Sequence, residues 1–323
     1  MDHHVVVGAG GIGRATAREL VAAGHRVTLV SRSGTASGLD GVASLAADAG
    51  DAEALTRIAT GAATIVNAVN PTQYHHWPRD WPPVARALLA TARRTGAGLV
   101  TVSNLYGYGR VDGPMAESHP MAPAGEKGAV RAGMWAEALA AHEAGEIRAT
   151  ELRASDYFGP GAGAQVSLLN LMVLPRAATG KTVWLLTGVP DAAHSWTYLP
   201  DIGRLAATLA TDDRAWGRAW HVPTAPARTF SEVATDVAGL TGGRASRVRR
   251  LPRVAKVALR VMPFFRAMDE TAHQFERPFV LDSTLTQETF DLAPTPWLEA
   301  LAASLPAQTR SGAPDRRVRP KTG

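Results

Sequence analysis

Lys127 and Arg131 stand four residues apart in the segment GEKGAVRAG, residues 125–133. Residues at that spacing share one face of a helix, so two cations would project from it together. Near the start of the chain, Gly8, Gly10 and Gly13 have the spacing G-x-G-x-x-G within GAGGIG. The first glycine permits a tight turn, the second lets the backbone approach a pyrophosphate, and the third lets a helix pack on a strand. The helix that follows turns its positive end toward the phosphates. Between these groups lie NPTQYHHWPRDWPP (70–83), dense in aromatic and imidazole groups, and VTVSNLYGYG (100–109), rich in hydroxyls. Dinucleotide binding at the glycines is the chemistry these residues suggest.

Such groups need elements to hold them. HHVVV reads as a strand whose Val5, Val6 and Val7 form the continuous apolar run of a parallel strand buried on both faces. Ile12, Thr16 and Leu20 then recur at helical spacing, with Ala15 and Ala23 keeping the packed face small. Gly24 ends that helix, and RVTLV begins a second strand. The pattern continues with DAEALTRIATG as a helix, ATIVNAV as a third strand, WPPVARALLATARRTG as a helix and GLVTVSN as a fourth strand. EKGAVRAGMWAEALAAHEAG is a long helix and IRATELRAS a fifth strand. This alternation predicts an α/β fold, a Rossmann-type doubly wound parallel sheet, with ligands outside the carboxyl ends of its strands. Beyond residue 160 the regularity breaks among Pro- and Gly-rich connections around SLLNLMVLPRAATG, WTYLPDIGRLAATLA and RTFSEVATDVAGLTG. The expected division is a dinucleotide-binding core over 1–160, then the remaining sheet strands and a smaller, mostly helical substrate lobe over 161–305. Residues 306–323, polar and without apolar period, read as a disordered basic tail.

Composition narrows the partners. The 323 residues are 46% hydrophobic and 20% charged, enough for one large domain with a lobe. The net charge of +5 is dispersed, and the denser segment GGRASRVRRLPRVAKVALR (242–260) reads as solvated helix or lobe surface, so no nucleic-acid partner is expected. The chain has no cysteine, which excludes disulfides and thiolate chemistry. No apolar run reaches the ~18 residues of a membrane span, and no charged region leads into a long apolar one. The expectation is a cytoplasmic protein with no membrane partner. No metal is expected either, because the adjacent His75 and His76 should diverge and no third ligand stands at suitable spacing. His3 and His4 read as the edge of a strand. Ser103 lacks the G-x-S-x-G frame of a hydrolase nucleophile.

The end of the second strand discriminates between cofactors. NAD sites usually carry Asp or Glu there for the ribose 2′-hydroxyl. This chain has VSRSG, with Ser31, Arg32 and Ser33. A guanidinium can pair with a 2′-phosphate and stack on adenine, so NADP is favoured over NAD.

The order of motifs resembles the short-chain dehydrogenase/reductase superfamily, in its extended and atypical NAD(P)-dependent epimerase/dehydratase branch, over residues 4–300. On that resemblance Gly11 and Ile12 complete the cofactor turn, and DAGD (48–51) puts Asp48 near the adenine. NAVNP (67–71) brings Asn67, Ala68 and Val69 beside the nicotinamide-side ribose. LRASDYFGPG (152–161), HSWTYLPDIGRL (194–205) and WHVP (220–223) complete the series. The family uses a Ser or Thr, a Tyr that exchanges a proton with the substrate oxygen, and a Lys four residues later. In HPMAPAGEKGAVRAGMWAEAL, Pro120, Pro123, Gly128 and Glu137 align with it, but Lys127 takes the Tyr position and Arg131 the Lys position.

The resemblance implies that Ser103 or Asn104 holds a substrate carbonyl. Tyr106, Tyr108 or Tyr74 could supply a replacement phenol. Tyr74, His75 and Trp77, with Tyr157 and Trp196, could line the substrate pocket, although Trp196 equally fits a core position. A homodimer through the helices after the third and fourth strands is also implied. Three readings compete. In the first, the protein is an NADP-dependent oxidoreductase or epimerase acting on a small carbonyl or sugar-like substrate. There Lys127, beside the like charge of Arg131, would yield its proton near neutrality, and Arg131 would bind ribose hydroxyls or phosphate. In the second, it is an NADP-binding sensor or scaffold. In the third, it is a non-redox lyase, isomerase or cyclase.

Overall fold

The structure, a computed structural model, describes residues 1–71, 73–163, 167–252, 254 and 269–306. Its centre is a seven-stranded sheet in which every pairing is parallel. The strands are β1 (His3–Val7), β2 (Arg26–Ser31), β3 (Val42–Ala46), β4 (Thr64–Asn67), β5 (Gly98–Asn104), β6 (Ala149–Ala154) and, after three strands outside this sheet, β10 (Ala219–His221). Across the sheet they run β10-β6-β5-β4-β1-β2-β3. The order reverses between β1 and β4, so a crevice opens beyond their carboxyl ends. In register there, Val5 pairs with Thr28 on one side and Ile65 on the other.

The apolar run of β1 is buried on both faces, as the sequence predicts. Val6 packs with Leu20, Leu205 and Trp220, whereas Val5 and Val7 pack with Leu55, Leu88 and Leu99. The first face is covered by α1 (Gly11–Ala22) and α6 (Leu199–Thr211). These approach so closely that a methyl on Gly203 would lie 2.6 Å from the Ala15 Cβ. The other face carries α2 (Ala52–Ala59), α3 (Trp77–Thr95) and α4 (Glu126–Glu143).

Two local expectations need correction. The edge strand β3 was not anticipated, because VASLA is built of small residues and three of its five positions are exposed. It therefore shows neither a buried run nor a strong alternation. Helix α3 also starts earlier than WPP, at Trp77, with a proline at its N-terminus and with Pro82 and Pro83 inside it. Proline is well tolerated in a first turn, whose N–H groups have no helical partner.

The lobe has its own core, in which Phe158, Trp196, Phe230, Phe275 and Trp297 meet. Within it, α7 (Phe230–Thr241) begins with a reciprocal cap between Thr229 and Glu232. Part of the basic segment, Val248–Arg250, is strand β11, paired with β8 (Val183–Leu185). The rest of that segment beyond 254, and the basic tail over 307–323, lie outside the described residues. Among the described residues, no helix is long and apolar enough to cross a membrane.

Candidate functional site

At the carboxyl end of β1 the chain turns through four glycines with distinct duties. Gly8 has φ +114, and a Cβ on it would lie 2.5 Å from the Ala68 carbonyl oxygen beyond β4. Gly13 presses on the carbonyl of Gly8, and Gly11 on that of Gly161. These three are small because this chain's own backbone fills the space. Gly10 differs, because a Cβ there would meet nothing within 4 Å. It is also the N-cap of α1 and brings no side-chain cap, so the first N–H groups of that helix face the crevice uncovered. An open backbone edge at a positive helix end fits a pyrophosphate. Ile12 and Tyr157 each pack against the cluster of Ala15, Ala162 and Leu199 behind this turn.

Around the turn the other cofactor candidates are braced. Arg14 donates to the Ala9 and Ser37 carbonyls, tying α1 to the loop after β2. Ser31 accepts from the Gly34 N–H at 3.1 Å, and Ser33 from the Thr35 hydroxyl at 2.8 Å. Arg32, between them, is exposed. Asp48 accepts from the Gly50 N–H at 2.7 Å, and buried Asn67 from the Val69 N–H at 3.2 Å. The sequence stretch 31–33 thus has a solvent-facing cation and no carboxylate at the end of β2.

Across the crevice, α4 is capped by Gly125 and carries Lys127 in its first turn. Glu270 reaches over this end of the helix. One of its oxygens accepts from the Lys127 backbone N–H at 2.8 Å, and the other from the Lys127 Nζ at 2.7 Å. The carboxylate therefore caps the helix and neutralises the ammonium together. The expectation that Lys127 stands as an uncompensated cation beside Arg131 is corrected by that ion pair. Lys127 Nζ also lies 4.8 Å from the centre of the Tyr74 ring. The Tyr74 hydroxyl donates to the Tyr106 hydroxyl at 2.8 Å, and Tyr106 stacks on Trp77. Burial raises both phenols well above their ordinary range, so both stay protonated at neutral pH. Ser103 is buried at the end of β5, while the Asn104 side chain accepts from the Tyr106 N–H at 3.1 Å. Gly128 lets α4 pass directly over the Tyr106 carbonyl. Lys127, Tyr74, Tyr106 and Trp77 thus come together.

Arg131 points elsewhere. Its guanidinium carbon lies 4.2 Å from the Trp81 ring centre and 5.4 Å from that of Trp77. One terminal nitrogen donates to the Val102 carbonyl at 3.3 Å. The Nε and the other terminal nitrogen are buried with no partner among the described residues. Burial lowers this guanidinium to about 10, opposed by the nearby charge of Glu151. The expectation that it reaches ribose or phosphate is corrected, since two indoles and the β5 backbone enclose it.

Other residues also change role. Tyr108 is buried, its hydroxyl held by Arg153 at 2.6 Å and His221 at 2.7 Å in a network inside the sheet. Trp196 is buried in the lobe core and donates to the Arg228 carbonyl, which corrects its assignment to the substrate pocket. His75 is exposed, and its ring lies 4.1 Å from that of His76, so these neighbours converge where divergence was expected.

The sequence reading missed two partners. Glu270 lies 143 residues from Lys127, with no motif around it. Asp156 is the other. It meets His194 Nε2 at 3.0 Å, and His194 Nδ1 meets the Gln274 carbonyl at 3.0 Å, with the imidazole stacked on Phe275 and Phe279. The SD dipeptide before Tyr157 was the only signal available for Asp156.

A sequence model described as the NAD dependent epimerase/dehydratase family matches residues 4–222. The chain belongs to that family. Its match spans the glycine turn, the Lys127 helix and the last sheet strand, and stops before the segment that contributes Glu270. No curated protein sequence matches the chain. Among solved structures, a putative epimerase from Burkholderia cenocepacia is 22% identical with a TM-score of 0.75, covering 96% of this chain and 98% of that one. The UDP-N-acetylglucosamine 4-epimerase of Methanobrevibacter ruminantium, in complex with UDP-N-acetylmuramic acid, is 14% identical with a TM-score of 0.76, covering 94% and 96%. The dTDP-glucose 4,6-dehydratase of Bacillus anthracis, in complex with NAD, is 16% identical with a TM-score of 0.73, covering 94% and 95%. These likenesses establish that this epimerase/dehydratase family member has the fold of those enzymes.

Proposed function

We propose that this family member binds NADP(H) and acts as an oxidoreductase or epimerase on a small carbonyl or sugar-like substrate, with Lys127 replacing the family tyrosine. One observation carries the reading: the Lys127 ammonium is held at 2.7 Å by Glu270 beside a hydrogen-bonded pair of phenols. The solved relatives in complex with NAD or sugar nucleotides support the substrate class. The dinucleotide, when bound, supplies hydride transfer. The Gly10 backbone and the start of α1 would hold its pyrophosphate, with Arg32 on a 2′-phosphate and Asn67, Ala68 and Val69 along the ribose. Ser31, Ser33 and Asp48 complete the adenosine end.

In this mechanism Lys127 gives its proton to the substrate oxygen as negative charge develops there, and takes it back in the reverse direction. Glu270 keeps the ammonium in place. Tyr106 and Tyr74, held protonated by burial, act as donors and not as bases. Ser103 or Asn104 orients the carbonyl. Arg131 contributes packing beneath the site.

The test pairs NADPH binding with turnover of a panel of carbonyl compounds and nucleotide sugars. Lys127→Met should cut turnover at least ~100-fold, the scale of a lost general acid. Unchanged turnover in that variant would remove Lys127 from the chemistry. Arg32→Ala should weaken NADPH roughly tenfold and leave NADH unaffected. The tightness of the Lys127–Glu270 pair favours a second reading, an NADP-binding sensor whose relay is locked. Tight NADPH binding with no turnover across the panel would select it.

A further inference from the structure

At the opposite, amino-terminal edge of the sheet, Asp2, His4 and His25 converge. Among the described residues they are the set of His, Asp and Glu side chains whose ligand atoms, one from each, all lie within 4.8 Å of one another. His4 is on β1 and His25 immediately precedes β2, so parallel pairing brings them together, and their rings meet edge to face at 4.7 Å. Asp2 is adjacent: its carboxylate lies 3.7 Å from His25 Nδ1.

The decisive group is His4. Its side chain is 1% exposed, and its Nδ1 lies 2.7 Å from the Thr64 hydroxyl. With the Nδ1 proton donated to that hydroxyl, Nε2 carries a bare lone pair. That Nε2 is buried and has no partner among the described residues. A buried acceptor without a donor is costly in a folded protein. At His25, Nδ1 accepts from the Asp2 N–H at 3.3 Å, a long bond that an ion would displace to take that lone pair.

We propose that Asp2, His4 and His25 bind one divalent transition-metal ion of the zinc class. Two neutral imidazoles and one carboxylate form a standard three-ligand set that leaves a fourth position to water. Metal-bound histidines regularly donate their other ring N–H to a neighbour that fixes the tautomer, and Thr64 occupies that position here. Zinc ligands at about 2.0–2.2 Å from the ion stand closer together than these atoms do. The Asp2 side chain, 61% exposed, has the freedom to close that distance. The ion would clip the start of β1 to the start of β2, across the sheet from the glycine turn.

The experiment uses the full chain carrying no histidine tag, stripped with chelator and titrated with zinc sulfate by calorimetry and thermal unfolding. The expected result is one zinc per chain and a melting temperature raised by a few degrees. His25→Gln and Asp2→Asn, both at the accessible rim, should each weaken binding by roughly tenfold to a hundredfold. The double variant His75→Gln/His76→Gln should bind zinc as the parent does. No binding, or binding unaltered by His25→Gln and Asp2→Asn but lost with His75 and His76, would overturn the proposal.

Discussion

The two sides of the crevice are held by different physics. At the glycine turn, backbone presses on backbone: Gly8 against Ala68, Gly13 against Gly8, Gly11 against Gly161. At the start of α4, a long cation is compensated by a carboxylate 143 residues away. The first side tolerates almost no added atom except at Gly10. The second tolerates any side chain whose charge and shape the lobe can answer. A chain can therefore hold its turn fixed while the start of this helix varies. Gly8→Ala tests the first side at its most severe. It forces a residue with a Cβ to φ +114 and drives that Cβ against a carbonyl, which should cost ~4 kcal/mol, read as a large loss in thermal or urea stability. Gly10→Ala should leave stability close to the parent and weaken NADPH about tenfold or more, because its methyl enters only the space where a pyrophosphate would lie. Equal destabilisation by both would erase the distinction between packing glycines and the cradle glycine.

On the second side, Glu270→Gln keeps the shape and removes the charge. Lys127, 7% exposed, then loses the charge of Glu270, while Glu270 at 22% exposure was only partly desolvated. The cost should be about 2 kcal/mol, below the range for a fully buried pair. Lys127→Met should cost less than about 1 kcal/mol, because an apolar chain of similar length replaces the cation and Glu270 can hydrate. Denaturant unfolding of the two variants checks this asymmetry. If Lys127→Met were the more damaging, the ion pair would be stabilising in itself and its cost would have to be sought in the Tyr74 contact.

The same contrast explains how much could be read from the chain alone. The turn, β1 and α1 were legible because their constraints are local: an apolar run, a glycine spacing and a helical period lie within a few turns of chain. Strand β3 was not legible, since its small, exposed residues carry no burial pattern. Lys127 stood out in its segment, but its ion pair did not, because Glu270 lies 143 residues away and has no flanking motif. His194 was visible only as the first residue of HSWTYLPDIGRL. Its pairing with Asp156 depends on how the lobe docks on the sheet, and spacing holds no information about that. Trp196 stood open between pocket and core for the same reason, and its burial places it in the core.

Arg131→Met predicts the smallest effect and sharpens the comparison most. The guanidinium is enclosed with two nitrogens that have no partner among the described residues, which carries a desolvation cost, and its stacking over Trp81 at 4.2 Å returns part of that. Methionine has similar reach, no donors and a sulfur that packs well against indoles. Loss of the cation–π contact and relief of the buried donors should nearly cancel, leaving stability within about 1 kcal/mol of the parent. NADPH affinity should also be unchanged, because the guanidinium lies beneath the site and not in it. A roughly tenfold loss of NADPH affinity with intact folding would instead return Arg131 to the ribose, the role of the family lysine, and would require the Trp77–Trp81 enclosure to open when cofactor binds.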